Sequence, residues 1–178
     1  TNYLTSHSPH IISQIISSDN EHSLKQFLIK KGLIKSLYSI VDDEGIFQVA
    51  ISLSKIENWQ EVDSYFRFYM EDLKNNNWNR ICDYLKKKDQ VLFDYSSKVG
   101  SESLGFRLVT NLIYYPIKKV YIGPAVMENY NLDEIDSLLK EYLTFDRVNM
   151  VLSFDNPKEI NFKMGSKKTE QYYGIEYY

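Results

Sequence analysis

Between positions 34 and 53 the chain takes on the period of a β-strand. Phe47, Val49, Ile51 and Leu53 alternate with Gln48, Ala50 and Ser52, and the stretch from Ile34 to Val41 is rich in β-branched and aromatic residues. Alternation sends successive side chains to opposite faces, which is the pattern of a strand covered on one side. The intervening Asp42-Asp43-Glu44-Gly45 is turn chemistry, so the two runs read as strands joined by a hairpin.

Around this hairpin the apolar residues recur at spacings of three and four. Ser8 followed by Pro9 reads as an N-cap with proline at the first helical position, opening a short helix to about Ser17. A second helix starts at Ser23, carries Leu24, Phe27 and Leu28 on one face, and stops at Gly32, a residue suited to the left-handed cap position. Trp59, Val62, Phe66, Tyr69 and Leu73 form the stripe of an amphipathic helix that Asn75-Asn76-Asn77 ends. Trp78, Ile81, Leu85, Leu92, Tyr95 and Val99 continue the rhythm, interrupted only at Lys88, and Leu104, Leu108 and Leu112 add another helix. Pro116 and Pro124 mark breaks or starts, and Ile135, Leu138, Leu139 and Tyr142 form a further helix face with Asp133 at its positive end. Arg147 to Phe154 reads as a third strand, closed by Asp155-Asn156-Pro157.

Three to four antiparallel strands among five or six helices give an α+β fold with helices on one face of the sheet. No Gly-, Ser- or Pro-rich linker and no internal repeat interrupts the 178 residues, so residues 1–178 read as a single domain.

Charge and cysteine content narrow the classes of function. With 24 acidic and 21 basic side chains the formal net charge is −3, and no basic arm exists to grip a phosphate backbone, so nucleic acid is not an expected partner. The longest apolar run, Ile11 to Ile16, is broken by Ser13 and Gln14, far short of the roughly 20 residues a membrane span needs. No membrane partner is expected either. Cys82, the only cysteine, permits no internal disulfide and no thiolate metal cluster. A reducing, cytoplasmic compartment is favoured, although the location of any longer parent does not follow from this piece.

The chemistry-bearing residues form no recognisable catalytic set. His7 and His10 form His-x-x-His, but neither H-E-x-x-H nor H-x-x-E-H occurs, and a zinc site needs three or four converging ligands. Surface or capping roles are the plainer reading of all three histidines. Cys82 lies beside Ile81 on an apolar stripe and reads as a packing residue. No nucleophile elbow, P-loop or dinucleotide fingerprint is present, and Lys86-Lys87-Lys88 reads as a solvated helix face. No catalytic residue, no metal ligand and no cofactor is assigned to this chain.

Order and spacing carry a more specific signal. Ser23-Leu24, Leu28, Lys31-Gly32 and Leu37 are similar to a G-S-L-x-x-x-L-K-x-K-G segment; Trp78 resembles the tryptophan of a P-x-E-W-x-F turn; Tyr114-Tyr115-Pro116 with Val120 is similar to H-Y-Y-P-x-E-x-V; and Thr169-Glu170, Tyr172-Tyr173-Gly174 and Tyr177 are similar to T-E-x-W-Y-G-x-x-Y. In this order they resemble the second, non-catalytic domain of the insulinase or pitrilysin family of zinc metallopeptidases, of the insulin-degrading-enzyme type. The family's G-H-E-G-x-G-S is here Ser17-Ser18-Asp19-Asn20-Glu21-His22-Ser23, which keeps only the serine. His10-Ile11-Ile12-Ser13-Gln14 falls on the family's decayed copy of H-x-x-E-H, with Ser13 in place of the general base and Gln14 in place of the second ligand.

The resemblance implies a metallopeptidase-like domain lacking its first strand, cut from a parent that is a zinc metalloendopeptidase, a hydrolase whose zinc sits in another, catalytic domain. In such proteins four related domains close into a substrate chamber, so the expected partners are the parent's other domains and a peptide substrate. The second domain serves as chamber wall and partly as an exosite, a peptide-binding edge that maps to Leu37, Tyr38, Ser39, Ile40 and Val41. The absent strand would leave a sheet edge exposed, with self-association expected through it. The alternative reading is a protease-derived peptide-binding or assembly module that has lost catalysis in the whole protein.

Overall fold

The computed structural model describes residues 7–42, 45–97, 100–123, 125–126, 130–153, 168–172, 174 and 176–177. The chain order is α1 (Ser8–Ile16), α2 (Leu24–Lys30), β1 (Ile34–Val41), β2 (Phe47–Leu53), a 3-10 turn at Ile56–Asn58, α3 (Trp59–Leu73), α4 (Trp78–Asp94), α5 (Ser101–Asn111) and α6 (Leu132–Ser137). A π-helical turn at Leu138–Tyr142 extends α6, a 3-10 turn occupies Phe145–Arg147, and β3 (Lys168–Thr169) and β4 (Glu176–Tyr177) form a small separate ladder. This is an α+β fold, with β1 and β2 antiparallel. Among the described residues no helix is long and apolar enough to cross a membrane.

α2 is set by local chemistry at both ends. The Ser23 hydroxyl accepts from the Gln26 N–H at 3.2 Å, filling one of the donors a helix start leaves open. At the other end Gly32 adopts φ 71°, the Gly32 N–H donates to the Ile29 carbonyl at 2.8 Å, and the Leu33 N–H donates to the Leu28 carbonyl at 3.0 Å. These two bonds make a Schellman stop, closed by the buried pair Leu28 and Leu33. The chain leaves this stop directly into β1.

α1 starts one residue earlier than its sequence suggests, because Ser8 is not the cap. His7 takes that place at φ 58°, and Ser8 is the first helical residue, fully buried, with its hydroxyl donating to the Glu134 carboxylate at 2.7 Å. A charge-assisted bond to a residue 126 positions away outweighs the local capping preference.

One core unites the first half with α6. Ile11, Ile12 and Ile16 of α1, Leu24 and Leu28 of α2, Leu37 of β1, Val62, Met70 and Leu73 of α3, and Trp78, Cys82 and Leu85 of α4 pack together with Ile135 and Leu139. The Trp78 indole N–H donates to the Leu73 carbonyl at 3.1 Å, fixing the corner between α3 and α4. The stripe of α4 is only half used, however. Leu92 and Tyr95 are exposed beyond Leu85, and Val99 lies outside the described residues. α5 contributes no fully buried residue, and Leu112, just past its end, is half exposed, as is Tyr142 in the π-helical turn.

The expected third strand is not formed. Phe145–Arg147 is a 3-10 turn, residues 148–153 have no regular structure, and Phe154 lies outside the described residues. The sequence there favours a strand, but the Arg147 N–H donates to the Thr144 carbonyl within the 3-10 turn, and no described backbone group bonds to residues 148–153.

Candidate functional site

The strand proposed to meet peptide, Leu37 to Val41, has its geometry fixed by α1. Ser39 lies opposite Val49 in the ladder, yet its N–H donates to the Ser17 hydroxyl at 2.6 Å. Its carbonyl accepts from the Ser13 hydroxyl at 2.7 Å and from the Ser17 hydroxyl at 3.3 Å. The backbone groups of Ser39 therefore point away from β2, and by the alternation of antiparallel pairing so do those of Leu37 and Val41. Two serines one helical turn apart thus close the middle of this edge from within the chain. Leu37 is buried in the core, and Tyr38 and Ile40 are exposed. Among the five, only Leu37 and Val41 still turn backbone groups toward an incoming strand. The Ser39 hydroxyl is buried without a partner among the described residues.

The opposite edge of the hairpin is different. Because Ser39 and Val49 face one another without exchanging hydrogen bonds, the N–H and C=O groups of Phe47, Val49 and Ile51 also point outward, away from β1. They look onto a groove of about 1650 Å³. Its far walls are α3, through Val62, Phe66 and Met70, and the irregular segment 148–153. Lys35, Lys55 and Arg147 stand among the lining charges. No described residue bonds to this edge.

The residues that resemble a decayed catalytic helix have other uses. Ser13 points its hydroxyl into β1, and Gln14 is exposed. His7 and His10 lie 6.5 Å apart, ring to ring. Burial, and next the charge of His10, hold the His7 imidazole below its ordinary pKa of 6.5, against the hydrogen bond with the Gly123 backbone that favours protonation. Cys82 is fully buried, which pushes its thiol up to about 11, and Asp83 beside it adds to the shift. Among the described residues no three His, Cys, Asp or Glu side chains converge as a metal site would require. Among the described residues the arrangement supplies hydrogen-bonding edges and apolar walls.

Two features of this site escape the sequence. The role of Ser13 and Ser17 could be suspected from two serines at i and i+4, one in α1 and one at its C-cap, but their target on β1 could not. The outward direction of the backbone groups of Phe47, Val49 and Ile51 follows only from the parity that Ser39 reveals.

Neither protein-family models nor curated proteins give a match to the sequence. Among solved structures, a crystal structure of pitrilysin is similar to this chain with a TM-score of 0.70 at 18% identity, over 76% of this chain. The chain spans 15% of the length of that structure.

Proposed function

We propose that this chain is a non-catalytic domain of an insulinase-type zinc protease, forming part of the wall of a peptide chamber. The observation that carries the reading is the likeness of fold to a segment of pitrilysin, which agrees with the order of the sequence resemblances. The lack of any nucleophile-base pair among the described residues fits a supporting role. The exposed apolar side chains at the end of α4 and along α5, among them Leu92, Tyr95, Phe106 and Val109, suit burial against other domains of such a parent. Zinc would belong to a separate catalytic domain.

Peptide anchoring along Leu37 to Val41 belongs to the same reading. A strand added here would bond to Leu37 and Val41 and skip Ser39, whose N–H and carbonyl are already engaged. Hydrogen exchange with a long unstructured peptide tests this: the Leu37 and Val41 amides are expected to slow at saturating peptide, with Ser39 unchanged. No change at either amide would leave the domain as wall alone. The competing reading, an assembly module without catalysis anywhere in the protein, is separated by the parent sequence. An intact H-x-x-E-H with a downstream glutamate ahead of Thr1 is expected, and its absence from the parent would favour the module.

A further inference from the structure

The helical layer covers β1 more fully than β2. On β1 the inward residues Ile34, Leu37 and Ser39 are buried. Residues directly opposite in a ladder share a face, so Leu53, Ile51 and Val49 of β2 point the same way. These three, with Phe47 beyond them, pack against the core and yet stay half-buried. A sheet buries such a face under a second layer. Here the groove of about 1650 Å³ lies along it, from Gly45 and Ile46 at one end of β2 to Ser54 and Lys55 at the other, with Val62 and Phe66 of α3 opposite.

Size and charge select the occupant. Six residue steps along β2 span about 20 Å, so a groove of this volume is about 80 Å² in section, or about 10 Å across. An α-helix with its side chains is about 10–12 Å in diameter, whereas one added strand takes up roughly half that section. Three cations line the groove, Lys35, Lys55 and Arg147, with two carboxylates, Glu57 and Asp63. Asp63 is bonded to Arg67 at 2.7 Å, and neither lysine joins an ion pair among the described residues. Both lysines are exposed beside the Ile34–Leu53 end of the ladder. We propose that the groove is the docking site of a partner's amphipathic α-helix, about 13 residues long, with an apolar stripe against Phe47, Val49, Ile51, Val62 and Phe66 and carboxylates against Lys35 and Lys55.

The two kinds of contact have separate tasks. Apolar residues of the partner at i, i+3 or i+4, i+7 and i+11 form the stripe that completes the layer over β2, and this cover supplies most of the affinity. The exposed lysines stay hydrated in the empty groove, so they steer and orient an acidic helix more than they tighten it. A basic helix meets three like charges and is rejected. The docking asks nothing of the backbone groups along the outer edge of β2, and it is independent of any role in proteolysis.

Fluorescence anisotropy of the 178-residue chain with labelled synthetic peptides of about 14 residues tests it. Three peptides are compared: leucine at helical spacing with glutamate and glutamine elsewhere, the same with every glutamate changed to lysine, and the acidic sequence with a proline at its centre. Saturable binding of the acidic helix is expected, about tenfold or more tighter than either counterpart, with a gain in helical circular dichroism on mixing. Lys35→Glu together with Lys55→Glu, both outside the core, is expected to weaken it about tenfold, while Lys87→Glu on the exposed side of α4 leaves it unchanged. No binding of the acidic helix overturns the proposal, as do equal affinities for the acidic and basic helices or indifference to the double lysine variant. Tighter binding of the proline peptide would make the occupant an extended chain and overturns it as well. So does peptide affinity that falls as the concentration of the chain rises, which would put a second copy in the groove.

Discussion

The Ser13 hydroxyl of α1 donates to the Ser39 carbonyl of β1 across 2.7 Å, inside the core and 26 positions away in sequence. It ties the first helix to the hairpin at the point where a sheet edge would otherwise be open. Removing it leaves a buried carbonyl with only the longer bond from Ser17, at 3.3 Å. Ser13→Ala is therefore expected to lower stability by about 1–2 kcal/mol. Urea unfolding checks it, and an unchanged midpoint would show that Ser17 suffices alone.

Gly32 and Gly105 should respond to alanine in opposite senses. Gly32 holds φ 71° in the stop of α2, where a Cβ is strained, although nothing crowds it. Gly105 sits inside α5, also in open space. Gly32→Ala is expected to destabilise by about 1 kcal/mol, and Gly105→Ala to stabilise by up to about 1 kcal/mol through helix propensity and the unfolded chain. Thermal melts of the two variants side by side are the measurement. Equal shifts would contradict the backbone argument.

His7 makes stability depend on pH in the mildly acidic range. Its folded imidazole titrates below the ordinary 6.5 because burial, and then the charge of His10, disfavour the cation. Between the lowered value and 6.5 the unfolded chain binds a proton that the folded chain refuses. This contribution is thus fully present above 6.5 and is lost as pH falls through that window. His7→Asn, which tolerates the left-handed backbone, is expected to flatten that part of the profile. Chemical denaturation at several pH values reads the difference in slope, and a variant as acid-sensitive as the parent would place the effect elsewhere.

Zinc is not expected to bind in stoichiometric amount, nor is the chain expected to cleave peptides. Ser13 has no carboxylate to act as base for a zinc-bound water, and its hydroxyl is already committed to Ser39; Gln14 is a poor substitute for an imidazole ligand. Elemental analysis after dialysis against zinc is the check, with one tightly held ion per chain as the contrary result.

Elements written in local chemistry could be read in advance. The helix start at Ser23, the Gly32 stop and the hairpin depend on residues a few positions apart, and all three are present. The stripe of α3 was legible for the same reason, although Met70, and not the half-buried Tyr69, joins the fully buried set. Distant partners were not legible. Ser8 looks like a cap until Glu134 arrives to take its hydroxyl. The run from Arg147 onward has strand-forming residues, but a strand is defined by its neighbour, and β2 does not pair with it. Leu92 and Tyr95 keep the helical rhythm, which reports an apolar face without saying what covers it. At the candidate site, Leu37 to Val41 were identified by resemblance alone, and the polarity of the edge became visible only through the bonds of Ser39.

α5 spans 11 residues and buries none of them fully, with Phe106 and Val109 more than half exposed. Isolated helices shorter than about 12–15 residues are marginal in water. The persistence of this segment is therefore set by whatever lies against it, so that it works as a gauge of contact: protease susceptibility and helical signal there should report whether the face is covered, even while the core behind it stays unchanged.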